Sequence, residues 1–166
     1  MASIGNYAYI LTCKLRVAAL RKTVDPLGFA HALRHLGDAH AYAGQTSRAR
    51  ACYLEALSTY RSQRDRRPLD LANAIRSLAA LDDETDATEE AERLWREAHD
   101  LYVSLNVPGG VAESAGRLAL LAWRRGDRQE SRDCLADAVA AANTGDDPEA
   151  RQYVREVSAQ IESSPA

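Results

Sequence analysis

The chain has 166 residues, which is long enough for one domain with a sizeable hydrophobic core. Its formal net charge is −3, and arginines alternate with acidic residues along the chain, so we expect no strongly basic surface for nucleic acid. The three cysteines form no Cys-x-x-Cys pair and their number is odd, which argues against a disulfide framework and favours a reducing, cytoplasmic location.

The composition also favours helices over sheets. Hydrophobic residues make up 46% of the chain, many of them alanine, and aromatic residues only 6%. The apolar run near the start has no basic segment ahead of it. Lys14 and Arg16 interrupt it before it reaches about 20 residues, the length that spans a membrane. We therefore predict neither a signal peptide nor a transmembrane helix.

The first predicted helix covers residues 4–22, where apolar residues recur at helical spacing. Two roles for this helix are compatible: it caps an apolar end of the fold, or it forms a homodimer contact. The second helix is predicted from Asp25-Pro26 to about Ala43, because aspartate favours the N-cap and proline the first helical position. Gly44 ends it, and a third helix follows to about residue 62.

The second half of the chain reads in the same way. A fourth helix is predicted over residues 69–81, ending at Asp82, and the acidic stretch 82–90 reads as a turn followed by an acidic helix start. Further helices are predicted up to about residue 105, over 111–125 and over 127–142, with Asp127 and Glu130 in the spacing of a capping box. The turn at 143–148 precedes a last amphipathic helix over 149–161, which is expected to cover the exposed end of the preceding pair.

A skeleton of seven positions occurs three times. Its copies are Leu33, Leu36, Gly37, His40, Ala49, Tyr53 and Ala56; Ile75, Leu78, Ala79, Asp82, Ala91, Trp95 and Ala98; and Ala115, Leu118, Ala119, Ala122, Ser131, Leu135 and Ala138. In every copy the second and fifth positions lie 13 residues apart. Two helices with this spacing pack closely and antiparallel, since the small residues let the backbones approach and the large ones fill the gaps.

This skeleton resembles the tetratricopeptide repeat family, in a variant with a period of about 40 residues. The resemblance covers residues 29–143 and implies an all-α fold of about eight helices, stacked as antiparallel pairs in a right-handed superhelical solenoid. The expected organisation is one domain over 1–166. It has an N-terminal capping helix (1–24), three repeats (25–66, 67–107 and 108–145) and a C-terminal capping helix (146–166).

The resemblance also makes predictions for single side chains. His40 and Trp95 occupy positions where the family places a packing aromatic, so we expect both to be buried. Trp123 lies one residue past the packing frame, and it is expected to face either the groove or the last helix.

The function implied by the resemblance is a non-catalytic scaffold that binds a protein or peptide in a concave groove formed by the first helices. An alternative is a sensor or regulatory module of a bacterial signalling or transcription-control system that acts with a separate effector protein. The sequence has no nucleophile–base motif, phosphate loop or dinucleotide fingerprint, so no enzymatic activity and no cofactor are expected. The expected partner is a protein or peptide, including an acidic segment. Nucleic acid and membrane are not expected partners.

Seven residues are candidates for the peptide-binding groove: His31, Arg34, His35, Asp38, Asn73, Arg76 and Arg117. The three arginines occur at nearly the same phase of successive first helices. They are predicted to form an electropositive strip for a carboxylate, unless they are ordinary exposed charges. Asp38 lies four residues after Arg34 and offers a second alternative, neutralisation within the helix. Two histidines share this face, but no fourth ligand is evident, so no metal site is predicted.

Overall fold

The computed structural model describes residues 4–64, 67–84, 88–144 and 146–163. All regular structure in these ranges is α-helical and forms eight helices: α1 (Ile4–Leu20), α2 (Pro26–Tyr42), α3 (Thr46–Ser62), α4 (Pro68–Glu84), α5 (Thr88–Ser104), α6 (Pro108–Arg125), α7 (Arg128–Thr144) and α8 (Pro148–Ser163). The predicted all-α fold with about eight helices is confirmed. Among the described residues, no helix is long and apolar enough to cross a membrane.

The helices form two compact units, Met1–Ala87 with α1 to α4 and Thr88–Ala166 with α5 to α8. In the first unit α2 packs against α1, α3 and α4. In the second unit α6 packs against α5, α7 and α8. Each unit is therefore built around one central helix. The predicted organisation as one domain with three repeats stays a prediction, and the turns predicted within 82–90 and 143–148 lie partly outside the described residues.

Local signals in the sequence explain where helices begin and end. The Asp25 side chain accepts the Gly28 N–H at 2.8 Å, which confirms the predicted N-cap of α2. Gly126 ends α6 with a φ of 86°, a left-handed conformation that glycine adopts without a steric cost. Asp127 caps α7 by accepting the Glu130 N–H at 3.0 Å.

The side chain of Glu130 is used differently from the capping-box prediction. Its carboxylate pairs with Arg96 at 2.6 Å and with Arg125, and both arginines also pair with Glu92. These four side chains connect α5, the end of α6 and α7 in one charge network. The network was not foreseen, because its members belong to three different helices.

The repeated skeleton forms the cores of both units. All of its residues are buried except Leu135, which is partly buried. The predicted burial of His40 and Trp95 is confirmed, with exposed fractions of 3% and 0%. Ser131 replaces the usual alanine of the skeleton, and its hydroxyl donates to the Ala119 carbonyl at 2.9 Å. A small hydrogen-bonded side chain therefore fills this position without leaving a buried polar group unsatisfied.

The prediction that α4 ends at Asp82 is wrong. The helix continues to Glu84, and Asp82 is fully buried inside its last turn. A guanidinium nitrogen of Arg50 on α3 lies 2.5 Å from its carboxylate. A buried carboxylate is tolerated when a cation compensates for its lost hydration, and this partner was not evident from the sequence.

The last helix, predicted to cover the preceding pair, packs against α6 and α7. Ala150 and Val154 of α8 join a cluster with alanines of α6 and α7, and Val157 and Ile161 join a second cluster. Trp123 packs against this second cluster, so of its two predicted environments the structure shows the one at the last helix. The Arg128 guanidinium lies 3.5 Å from the centroid of its indole ring.

The contact between Gly37 of α2 and Tyr53 of α3 predicts that Gly37→Ala destabilises the folded protein. A Cβ at residue 37 would lie 2.4 Å from a ring carbon of Tyr53, so the ring or the backbone must move. We expect a loss of about 1–3 kcal/mol in the free energy of unfolding, as for other overpacked cores, measured by urea titration. The double variant Gly37→Ala/Tyr53→Leu should lose clearly less than the sum of the two single changes. Additive losses would contradict this packing.

The buried ion pair makes a second prediction. Arg50→Met should lower the free energy of unfolding by about 2–4 kcal/mol, because it leaves the Asp82 carboxylate buried without its cation. Arg50→Met/Asp82→Asn removes both charges and should recover part of this loss. Chemical denaturation of the three variants tests this, and a double variant less stable than Arg50→Met would contradict it.

Candidate functional site

Four of the predicted groove residues form one connected network on α2. Arg34 donates to the Asp38 carboxylate at 3.0 Å and to Nε2 of His35 at 3.0 Å. Nε2 of His31 lies 3.0 Å from the same nitrogen of His35, and the two rings meet edge to face with centroids 4.6 Å apart. The spacing of three and four residues brings these side chains together on one helical face, as predicted.

Asp38 is the centre of this network because it joins three helices. Its Oδ1 accepts the Tyr53 hydroxyl of α3 at 2.9 Å and lies 3.4 Å from the Ser77 hydroxyl of α4. Its Oδ2 accepts from Arg34 and lies 3.5 Å from Nδ1 of His35. The carboxylate is therefore held by groups from α2, α3 and α4.

The hydrogen-bond chemistry of the network assigns its protons. A guanidinium donates only, so Nε2 of His35 is an acceptor and the proton of this ring is on Nδ1, toward Asp38. Nε2 of His31 lies 3.0 Å from Nε2 of His35. The other ring nitrogen of His31 lies 3.6 Å from the Asp70 carboxylate of α4. The result is a chain of polar groups from Asp70 to Asp38.

Burial lowers the pKa values of two histidines on α2. Burial, followed by the charges of Arg34 and His31, lowers the pKa of His35. Burial also lowers the pKa of His40, despite its hydrogen bond to Gln45 at 2.7 Å. Both rings are therefore more stable in the neutral form within the folded protein than in water.

Arg76 and Asn73, the two candidates on α4, are both half-buried. Arg76 lines a cavity of about 320 Å³ together with Asp38, Ala41, Tyr42, Tyr53, Ser77, Ala80 and Leu81. Tyr42 is 82% exposed and contributes a large aromatic side chain to the rim. A cation, a hydroxyl and a solvent-facing aromatic ring thus line one opening in the first unit.

Arg117, the seventh candidate, lies in the second unit. Its guanidinium is 5.9 Å from the ring centroids of both Trp95 and Tyr153. It lines a cavity of about 350 Å³ with Gly109, Glu113, Asp147, Glu149, Ala150 and Tyr153. The surroundings of this arginine are aromatic and acidic, unlike those of Arg34 and Arg76.

The structure thus assembles four of the seven candidates in one network and places two on the neighbouring helix. The alternative that Asp38 neutralises Arg34 is the arrangement seen, since Arg34 is only 9% exposed and is ion-paired. Asp70, Ser77 and Tyr42 were missed. Their positions depend on how α4 packs against α2 and on where α2 ends. No group of three or more histidine, cysteine, aspartate or glutamate side chains in the described ranges is arranged to hold a metal ion.

Comparison with known proteins agrees with the repeat pattern. Residues 29–62 match the family model of the tetratricopeptide repeat, which covers most of α2 and all of α3 with their buried glycine and tyrosine. No curated protein sequence gives a significant match to this chain.

Solved structures extend this likeness to most of the chain. The crystal structure of BtubC (BKLC) from P. vanneervenii matches with a TM-score of 0.71 and 17% identity, over 93% of this chain and 63% of that one. The nearly identical TPR-like repeats of a kinesin light chain from Podosopora anserina match with a TM-score of 0.71 and 16% identity. That match covers 95% of this chain and 85% of the other. This chain spans less than two thirds of the BtubC chain.

These findings agree on the fold. Residues 29–62 match the tetratricopeptide repeat, and the fold is similar to that of tetratricopeptide-like helical repeat proteins. The family resemblance predicted from the sequence is confirmed. Proteins of this class typically act as interaction scaffolds.

The lowered pKa values of the two histidines predict how stability depends on pH. A folded-state pKa below the ordinary value of about 6.5 contributes stability above that pH, and the contribution is lost as the pH falls through the folded-state value. The free energy of unfolding should therefore decrease between pH 7.5 and 5.5, and His35→Gln should flatten this decrease. Glutamine keeps an acceptor for Arg34 but does not titrate. Adding His40→Gln should flatten the decrease further. The free energies come from urea titrations at each pH. If both variants keep the pH dependence of the wild type, these histidines are not its cause.

Proposed function

We propose that this protein is a non-catalytic scaffold that binds a peptide segment of a protein partner on the face formed by α2 and α4. The observation that carries the proposal is the cavity beside Asp38, where Arg76, Ser77 and the exposed Tyr42 surround one opening of about 320 Å³. Binding sites for peptides combine an aromatic anchor with a few fixed polar groups, and this opening offers both.

The partner segment in this proposal carries a carboxylate. Arg76 supplies a cation whose planar donors match a carboxylate. Tyr42 supplies a ring with little conformational freedom to lose, against which an apolar side chain of the peptide packs. Asn73, His31 and His35 extend the polar surface along the same two helices.

Arg34 and Asp38 have a supporting role in this proposal. Arg34 is mostly buried, and its guanidinium is already bonded to Asp38 and His35, so it holds these side chains instead of contacting the peptide. A fixed carboxylate beside Arg76 also limits the site to ligands that satisfy both charges. The site is therefore selective and not simply basic.

Arg117 stays a candidate binding residue, but the proposal assigns it no specific contact with the peptide. Its cavity contains three acidic side chains, Glu113, Asp147 and Glu149, so it does not extend an electropositive strip in a simple way. A cytoplasmic location is likewise an expectation, whereas the charges of α1 disfavour the homodimer that the sequence predicts through this helix. No feature among the described residues favours a regulatory module over a scaffold.

The test starts from peptides selected for binding to the wild-type chain from a random library. For an acidic peptide recovered in this way, Arg76→Glu should weaken binding by about tenfold or more, and added salt should weaken wild-type binding. Tyr42→Ala should weaken binding by about fivefold or more without a change in stability, because the ring is exposed. Isothermal titration calorimetry measures the affinities, and circular dichroism confirms that each variant is folded.

Arg132→Glu is the matched control for Arg76→Glu. Arg132 is exposed on α7 and bonds only to Gln129 of its own helix among the described residues, so the change has the same charge effect at a distant place. The control should bind the selected peptides as the wild type does. Equal affinities for the wild type, Arg76→Glu and Tyr42→Ala would place recognition elsewhere and overturn the proposal.

A further inference from the structure

Helix α1 has two apolar faces, and only one of them is covered in the structure. Ile10, Cys13 and Val17 are buried, with exposed fractions of 6%, 8% and 8%. Large apolar residues also occur elsewhere on the helix: Tyr7, Leu11 and Leu15 are 63%, 58% and 64% exposed. A spacing of four residues places these three on one stripe. The last helix, α8, differs, because its outer face is polar.

The exposed stripe leads into an opening with a cationic rim. Ala18 continues the stripe and lines a cavity of about 330 Å³, whose other lining residues are Lys14, Val17, Arg21, Lys22 and Leu36. Arg21 is already engaged, since it pairs with Glu55 at 3.2 Å and lies 5.5 Å from the Phe29 ring centroid. Neither lysine forms an ion pair with any described residue. The opening thus combines an apolar floor with two available positive charges.

No acidic residue occurs in the first 24 positions of the chain, so nothing in α1 offsets these charges. Tyr7, Leu11, Leu15, Ala18, Lys14 and Lys22 together are called the α1 surface below. An apolar stripe flanked by cations complements a helix whose own apolar stripe is flanked by carboxylates.

We infer that the α1 surface binds an amphipathic helix of another protein, with apolar residues on one face and aspartate or glutamate beside them. Two helices pack when ridges of side chains from one fill the grooves of the other, and Ala18 next to Leu15 provides such a groove. The lysines then pair with acidic residues at the rim, where charges guide the approach and select the partner. This inference does not rest on the α2–α4 site.

Two other occupants of the α1 surface are a second copy of α1 and a membrane, and the charges of the surface favour the acidic helix over both. A second copy of α1 would bring lysines against lysines, without an acidic residue on either helix. An anionic membrane surface attracts clusters of about four to eight cations. Residues 14–22 carry four, but Arg21 is paired with Glu55 at 3.2 Å, so the three that remain are fewer than such a cluster. The acidic amphipathic helix is the occupant that satisfies both the stripe and the charges.

The experiment uses two synthetic peptides of about 18 residues, or about five helical turns. Both have leucines at alternating spacings of three and four, and they differ only in carrying glutamate or lysine at the flanking positions. The whole chain should bind the glutamate peptide about tenfold or more tightly than the lysine peptide, measured by fluorescence anisotropy, and added salt should reduce the difference. Leu11→Gln/Leu15→Gln should weaken binding by about tenfold or more.

Reversing the charges of the two lysines is the most specific test of the inference. Lys14→Glu/Lys22→Glu should reverse the preference, so that the lysine peptide binds more tightly. Arg132→Glu/Arg155→Glu changes the net charge equally at exposed positions bonded, within the described ranges, only to glutamines of their own helices, and it should keep the wild-type preference.

Several results would overturn the inference. Equal binding of both peptides, or binding of neither, would show that the α1 surface does not recognise an acidic helix. A concentration-dependent dimer that Leu11→Gln/Leu15→Gln dissociates in sedimentation experiments would assign the surface to a second copy. Binding to phosphatidylserine vesicles that this variant abolishes would assign it to a membrane.

Discussion

The contact between the Tyr53 ring and Gly37 is the constraint on which the first unit depends. A Cβ at residue 37 would lie 2.4 Å from a ring carbon, so the ring occupies space that only glycine leaves open between α2 and α3. The same ring ends in a hydroxyl that donates to Asp38 at 2.9 Å. Burial, and then the nearby carboxylate, raise the pKa of Tyr53, so this hydroxyl remains a donor. One side chain therefore fixes both the helix packing and the orientation of the central acid of the site.

Close packing of this kind explains which features were readable from the sequence. The skeleton of glycine, alanines and bulky residues predicted the helix pairs, because small residues at fixed offsets are required wherever backbones approach. Its positions are buried almost without exception, and the caps at Asp25 and Asp127 follow from local chemistry. Such features depend on residues that are neighbours in sequence or in a repeating frame.

The features that were misread or missed depend on contacts between residues of different helices. Asp82 was expected to end a helix because an acid is unfavourable in a packing position, yet Arg50 on α3 compensates for its charge. The histidines were predicted to lie on one face, but their mutual hydrogen bond and the approach of Asp70 require the packed geometry of α2 and α4. Ser77 and Tyr42 have ordinary sequence contexts, and only the structure shows that they line an opening. Specific pairings of polar side chains carry too little sequence signal to be predicted from one chain.

The three arginines at the same repeat phase show how far a repeating pattern determines chemistry. Arg34 is buried and bound to Asp38, Arg76 lines an opening with a serine and an exposed tyrosine, and Arg117 lies beside two aromatic rings. The frame places each of them on a first helix, but residues outside the repeated skeleton decide what surrounds each guanidinium: His35 and Asp38 on the same helix for Arg34, and Tyr153 of α8 for Arg117. Since a charge is available for recognition only where its surroundings do not already satisfy it, the repeat sets the position of a candidate site and its non-repeating neighbours set the specificity.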